Sequence, residues 1–329
     1  MVRFGVIGTN WITESFIQAA SEIENFQLTA VYSRTAEKAE QFANQFDGAI
    51  DIFTDLHTYF QNDKMDAVYI ASPNALHAEQ AIQAMQHGKH VIVEKPMASN
   101  TREVQEMVDT AKDNNVVLME ALKTTFLPNF QAIQDNLHKI GQVRRYFSSF
   151  CQYSSRYDAY KEGTVLNAFK PELSNGSLMD IGIYCIYPMV ALFGKPKKVY
   201  ANAYMLGSGV DGQGSVMFDY NELNGAVMYS KITNSYLPSE IQGEDGSIVI
   251  DKISHPTKVA IHYKDGTIED ITRPQKENAM YYEAKGFIDA ILAGQNESTV
   301  NTFERSLTTA AILEESRKQI GLPFPADKK

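Results

Sequence analysis

The feature that most constrains this chain is the alternation in its first 121 residues. Short apolar runs at 2–7, 28–32, 67–70, 90–93 and 116–119 are separated by amphipathic stretches at 15–21, 35–46, 76–87 and 101–112. The runs have the length and apolarity of strands buried on both faces. The stretches between them carry helical spacing: Val104, Met107, Val108 and Ala111 fall at i, i+3, i+4 and i+7. Asn100 followed by Glu103 has the form of a helix-capping pair. Strand and helix in alternation predict an α/β fold with a doubly wound parallel sheet.

Beyond residue 121 the pattern changes. β-rich runs at 199–205, 215–219, 225–232, 247–250, 259–263 and 267–271 are punctuated by turn signals at Asp211-Gly212, Glu244-Asp245-Gly246 and Lys264-Asp265-Gly266. They predict one large, open, mainly antiparallel sheet. Amphipathic helices are expected at 279–293 and 303–320, and a frayed tail at 326–329. A chain of 329 residues exceeds one ordinary core. The reading divides it into a dinucleotide-binding domain, 1–121, and a substrate-binding and oligomerisation domain, 122–329.

A formal net charge of −10 argues against nucleic acid and anionic membranes as partners, since a phosphate surface wants a basic face. Cys151 and Cys185 are the only cysteines and show no metal-ligand spacing, so no metal is expected and a reducing, cytoplasmic setting fits. Strand residues begin at Val2, so no signal peptide is expected. The longest apolar run, 181–193, is short for a bilayer and contains Pro188.

The opening "RFGVIGTNWITESFI", residues 3–17, runs from a strand through a turn into a helix. A dinucleotide-binding turn has glycine at three places, G-x-G-x-x-G/A. Here Gly8 is in place, and Asn10 and Thr13 fill the other two. Gly8 permits the tight turn. Asn10 is expected to let the backbone approach a pyrophosphate because Asn tolerates the left-handed conformation, and Thr13 to pack helix on strand less closely. Thr9, Asn10, Trp11 and Ile12 then surround a helix N-terminus that offers N–H groups to phosphate, with Trp11 either shielding it or packing. At the end of the second apolar run, the acid that would bind a ribose 2′-hydroxyl is absent. Ser33, Arg34 and Lys38 stand there instead, and they suit a 2′-phosphate, so NADP(H) is expected over NAD(H).

Residues 69–98, "YIASPNALHAEQAIQAMQHGKHVIVEKPMA", hold two further loops. One is Ala71-Ser72-Pro73-Asn74, leading into a helix with His77; the other is Glu94-Lys95-Pro96. Both follow apolar strands, at the edge where an open α/β sheet binds ligands. The two motifs at this spacing closely resemble the glucose–fructose oxidoreductase / inositol dehydrogenase / rhizopine-catabolism (Gfo/Idh/MocA) family. The resemblance continues through "MEALKTTFLP", residues 119–128, to the terminal helices. It implies a Rossmann domain followed by an α/β domain whose large sheet often forms a dimer interface, hence a homodimer or higher homo-oligomer. It implies that both loops bind the cofactor. His77 either holds its loop by hydrogen bonding or touches the cofactor. Glu94 orients Lys95 or the nicotinamide ribose.

A third stretch, "NGSLMDIGIYCIYPMVALFG" at 175–194, refines the match. Many members read G-G-G-x-x-x-D-x-G-x-H here; this chain has Asp180, Gly182 and Tyr184, so Tyr replaces His. That form is similar to the dimeric dihydrodiol dehydrogenases. Asp180 and Tyr184 are four apart and share a helix face, amid apolar Ile181, Ile183, Cys185 and Ile186. An acid in such company needs a partner or a function; the plain alternative is a capping or salt-bridged Asp beside a core tyrosine. Lys123 sits where relatives often place an aromatic residue near substrate. Tyr153, Tyr157 and Tyr160 either line a pocket or lie in a mobile loop.

The resemblance implies hydride transfer to or from a carbinol carbon of a small sugar, polyol, dihydrodiol or dicarbonyl. Lys95 would polarise the reacting oxygen and Tyr184 give or take its proton. Asp180 would hold a substrate hydroxyl or orient Lys95, and Lys95 itself is an equally permissible acid/base. The rivals are a non-catalytic NAD(P)-binding regulator of the same fold and an NAD-linked inositol-type dehydrogenase. Lys95, Asp180 and Tyr184 together favour the enzyme; Tyr184 and Arg34 count against the second rival.

Overall fold

The computed structural model describes residues 1–328, which divide into two compact units. The first takes in Met1–Ala98, Arg102–Lys123 and Lys276–Phe303; the second takes in Ser99–Thr101, Thr124–Gln275 and the chain from Glu304 onward.

In the first unit the apolar runs become β1 (Val2–Ile7), β2 (Phe26–Tyr32), β3 (Asp51–Phe53), β4 (Ala67–Ile70), β5 (His90–Glu94) and β6 (Leu118–Ala121). They form one parallel sheet of order β3-β2-β1-β4-β5-β6. The doubly wound expectation holds, because these strands are covered on both faces: Phe4, Val6, Val68, Ile70, Val91 and Ile92 have no exposed surface. β3 carries no apolar run that would announce it; it is a three-residue, half-buried edge. The helix Met280–Leu292 returns to this unit from far along the chain, setting Phe287 edge-on against Phe4 at 5.9 Å.

One local expectation is corrected. The first helix runs Trp11–Ala20, four residues earlier than the periodicity indicated. Asn10 is extended (φ −114°, ψ 174°), not left-handed, and acts as its N-cap: its Oδ1 accepts from the Ile12 N–H at 3.0 Å and the Thr13 N–H at 3.4 Å.

The second unit is built on β7 (Val143–Cys151), β8 (Lys198–Met205), β9 (Asp211–Asp219), β10 (Asn224–Ser230), β11 (Ser239–Gly243), β12 (Gly246–Ile250), β13 (Val259–Tyr263) and β14 (Ile268–Asp270). Their order is β14-β13-β12-β11-β7-β10-β9-β8, and only the β7–β10 pair is parallel. The mainly antiparallel sheet is as expected, but β7 and β11 lie at its centre and were not anticipated. β7 carries Arg144 and Arg145 directly after its first residue, Val143, and lacks alternation; β11 is short and polar apart from Ile241.

Two further readings are corrected. Asp211-Gly212 is not a turn but the start of β9. The chain reverses just before it, where Gly209 (φ +92°) donates its N–H to Leu206 O. The tail does not fray through the described residues: Pro325–Lys328 form a 3-10 turn, and Asp327 is paired with the buried guanidinium of Arg317 at 2.7 Å. Among the described residues one helical stretch, 171–193, is long and apolar enough to cross a membrane, and most of it is buried as a core helix of this unit.

Candidate active site

In the parallel sheet the strand order reverses between β1 and β4, and the crevice beyond their C-terminal ends is where such sheets bind ligands. Gly8 follows β1 with φ +106°, and a Cβ there would lie 2.7 Å from Ala71 O at the end of β4. Only glycine tolerates both the conformation and that approach. Asn10 ties the two loops, donating from Nδ2 to the same Ala71 O at 3.1 Å. Thr9 and Ile12 are half-buried, and Trp11 is 68% exposed at the helix N-terminus. Thr13 is fully buried, its Oγ1 without a hydrogen-bond partner among the described residues. At the end of β2, Ser33 is buried, while Arg34 and Lys38 are exposed and form no ion pair among the described residues. A cradle that admits no Cβ, a helix start, and two uncommitted cations with no acid at the end of β2 fit a dinucleotide with a 2′-phosphate.

The Ser72 and Pro96 loops are joined by His77, which has no exposed surface. Its Nδ1 lies 3.0 Å from Pro96 O and its Nε2 2.8 Å from Ser72 O. A neutral imidazole has one N–H and donates to one of these carbonyls at a time. Burial holds His77 below its ordinary range against the pull of both carbonyls, and the charge of Lys95 adds to the depression. Ser72 Oγ donates to Gln80 Oε1 at 2.6 Å, which fixes the loop carrying Pro73 and Asn74 on the helix that follows.

Glu94 is buried and accepts a hydrogen bond from Tyr69 Oη at 2.6 Å; the Tyr69 ring in turn stacks on Phe16. Burial raises the Glu94 carboxyl, with the charges of Lys95 and Lys123 and the Tyr69 hydroxyl opposing. Lys95 is half-buried beside it, joined to Pro96 by a cis peptide. Lys123 is brought to the same cluster. So is Glu283, which was not singled out from the sequence. Glu283 is 1% exposed, its Oε2 has no hydrogen-bond partner among the described residues, and burial followed by the charge of Glu94 lifts its carboxyl well above the usual range. Its signal was present: with Met280, Ala284, Phe287 and Ile288 it occupies the apolar face of its helix.

In the second unit Asp180 lies in a π-helical turn, Leu178–Gly182, that leads into the helix Ile183–Phe193. From Gly176 to Ala191 every residue but Asp180 and Tyr184 is buried, so the shared face inferred from their spacing is present. Tyr184 meets Phe150 edge-on at 5.8 Å. Asp180 is ion-paired with Lys231, a partner not singled out from the sequence. The turn itself is held from β9: Asp211 Oδ2 accepts from the Leu178 N–H at 2.7 Å, and Ser177 Oγ donates to Gly212 O at 2.8 Å. Gly176 (φ +149°) leaves the room that Asp211 Oδ1 takes up. Tyr153, Tyr157 and Tyr160 form a ring cluster with buried Phe169, and Tyr160 Oη accepts from the Ser208 N–H at 3.1 Å.

Residues 2–122 match the oxidoreductase family with an NAD-binding Rossmann fold of the Gfo/Idh/MocA group, and residues 131–249 match the Gfo/Idh/MocA C-terminal domain. The scyllo-inositol 2-dehydrogenase (NADP(+)) of Bacillus subtilis is 61% identical over 328 residues, 100% of both chains. The trans-1,2-dihydrobenzene-1,2-diol dehydrogenase of Xenopus tropicalis is 29% identical over 337 residues, covering 98% of this chain and 99% of its own. A solved 3-ketoreductase from Actinomadura kijaniata, in complex with NADP and TDP-benzene, shares the fold with a TM-score of 0.86 at 22% identity, covering 97% of this chain and 98% of its own.

Proposed function

The chain belongs to the Gfo/Idh/MocA oxidoreductase family, and on that premise we propose that it is an NADP-linked dehydrogenase of scyllo-inositol. The observation that carries the substrate is the 61% identity to the Bacillus subtilis enzyme over the whole of both chains. The end of β2 independently supports the cofactor, since exposed Arg34 and Lys38 stand where an NAD site has an acid. The reading includes a cytoplasmic setting and a homodimer or higher homo-oligomer.

Gly8, Thr9, Asn10, Trp11 and Ile12 would hold the pyrophosphate. Ser33, Arg34 and Lys38 would hold the 2′-phosphate, and the loops of Ala71–Asn74 and Glu94–Pro96, tied by His77, would hold the nicotinamide half. The bound nicotinamide would supply the acceptor for the hydride that leaves the carbinol carbon. Lys95 Nζ donates a hydrogen bond to the carbinol oxygen and stabilises negative charge as its proton leaves. Tyr184, reacting as the phenolate, takes that proton at Oη and becomes the neutral phenol, and the ketone results. The Asp180 carboxylate accepts a hydrogen bond from a second substrate hydroxyl. Lys123 keeps the buried carboxyls beside Lys95 from concentrating negative charge there. In a second arrangement Lys95 itself carries the proton.

Initial rates of NADP+ reduction test the proposal. Turnover is expected with scyllo-inositol and NADP+, and much less with NAD+. No turnover with scyllo-inositol, or a preference for NAD+, would sink it. Trp11 is the only tryptophan and sits in the helix start expected at the pyrophosphate, so its fluorescence reports binding separately from turnover. Arg34→Ala should weaken NADP+ at least tenfold by this signal and leave NAD+ nearly unchanged. Lys95→Met and Tyr184→Phe should each lower kcat by roughly 10²–10⁴ with nucleotide affinity retained. A fully active Tyr184→Phe beside a dead Lys95→Met assigns the proton to Lys95.

A further inference from the structure

We propose that Lys231 is a positioning residue for the reaction: its ammonium holds the Asp180 carboxylate in one orientation toward the substrate hydroxyl. The inference rests on the reading of Asp180 as a substrate-binding group. The Lys231 side chain is 6% exposed, whereas that of its partner Asp180 is 32% exposed. The cation is therefore interior and the anion is the member that opens outward. Burying an ammonium is costly unless a closely held anion compensates, and an apolar side chain of similar length serves packing better.

The place in the fold makes that cost deliberate. Lys231 follows β10 directly, and strand alternation puts it on the side of Val227 and Tyr229, which are 0% and 1% exposed. Its backbone is fixed on both sides: its N–H donates to Gly212 O and its carbonyl accepts from the Ser154 N–H, each at 2.9 Å. Its ammonium lies 5.7 Å from the centroid of the Phe169 ring, itself fully buried. The cation is thus seated on a rigid strand end and an aromatic floor. Asp180, by contrast, sits in the π-helical turn that leads to Tyr184, a rare local geometry that recurs at functional sites. A fixed ammonium on one carboxylate oxygen sets the direction in which the group meets a hydroxyl. Without it the carboxylate would turn or pair elsewhere.

The test is a double-mutant cycle on NADP+-dependent oxidation of scyllo-inositol. It is accompanied by calorimetric titration of scyllo-inositol into the NADPH-loaded protein and by Trp11 fluorescence for nucleotide affinity. Lys231→Met should lower kcat/KM and weaken the calorimetric affinity 10- to 100-fold, with nucleotide affinity within twofold of wild type. Lys231→Arg, which restores the charge, should recover most of the loss. Asp180→Asn/Lys231→Met should be no worse than Asp180→Asn alone, because the lysine acts through the carboxylate. Should Lys231→Met not fold, the cycle of Lys231→Arg with Asp180→Asn gives the same comparison on a smaller signal. An impaired Asp180→Asn beside an unimpaired Lys231→Met overturns the proposal and leaves the role of Asp180 standing. A Lys231→Met loss repeated in full on top of Asp180→Asn overturns it as well. A wild-type Asp180→Asn removes the premise itself.

Discussion

A carboxyl group with no exposed surface must be capped, paired or neutral. Asp211 is capped on one oxygen by the Leu178 N–H, and its other oxygen has no hydrogen-bond partner among the described residues. Burial pushes it up to about 6, ahead of the opposing N–H groups of Leu178 and Ser177 and the charge of Lys231. The folded value lies above the unfolded one of 3.8, so the native state holds the proton more tightly between these pH values. The stability this supplies is fully present below the unfolded value and is lost as pH rises through about 6. Asp211→Asn keeps the acceptor and cannot ionise. Urea unfolding should therefore show the wild type gaining on this variant, by about 1 kcal/mol, when pH is lowered from 7.5 to 5. An unchanged or reversed difference would show that Asp211 is ionised throughout. The same residue illustrates a limit of reading letters: Asp-Gly is a strong turn signal, and what turned it into a strand start was the unsatisfied helix end at Leu178 that this carboxylate caps.

At the scale of elements, the helix Phe303–Ile320 and the Pro325–Lys328 turn are joined through one side chain. Arg317 is 1% exposed; it donates to Asp327 at 2.7 Å, to Leu322 O at 2.9 Å and to Ser99 O at 3.0 Å, and its guanidinium stacks on Phe324 at 4.0 Å. Burial acts against the Asp327 charge, but the Arg317, Phe324 and Asn100 donors outweigh it and bring the carboxyl down to about 2. Arg317→Met leaves two carbonyls and a carboxylate short of donors, and should cost about 3 kcal/mol in denaturant unfolding. Arg317→Lys, which keeps the charge but not the fork, should cost about half of that. A loss below 0.5 kcal/mol for Arg317→Met would mean the tail contributes little. The periodicity of 303–320 announced the helix, but not that its arginine reaches inward to order the residues beyond it.

At the scale of the molecule, the eight-stranded sheet leaves one apolar patch in water. Tyr200 and Tyr204 on β8, Met217 on β9 and Met228 on β10 are 47% to 61% exposed, and the register sets Tyr200 beside Met217 and Met217 beside Ala226. The β8 edge is blocked differently: Gln319 accepts from the Ala201 N–H at 2.8 Å and donates to Val199 O at 2.9 Å, so a side chain occupies the ladder where another strand would add. The homo-oligomer proposed above would form through the face rather than by growth at this edge. Sedimentation at micromolar concentration should show at least two chains per particle. Met217→Glu/Met228→Glu should shift it toward the 36.8 kDa monomer. A wild-type protein that is monomeric under these conditions would rule the interface out.

The sequence by itself determined whatever rests on local periodicity and on short motifs. The parallel sheet followed from buried apolar runs, the turn at Gly8 from the lack of a Cβ, and the shared face of Asp180 and Tyr184 from a four-residue spacing. The 2′-phosphate preference followed from an acid missing after Tyr32. Tertiary structure alone decided the rest. β11, three-residue β3 and β7 with its paired arginines are strands because their neighbours supply a ladder, not because their side chains alternate. Glu283 sits at an apolar position of its helix and Lys231 just past the end of β10, and which charges meet them there depends on residues 189 and 51 positions away, Glu94 and Asp180. Local pattern records which way a side chain points; only the packed chain determines what it meets.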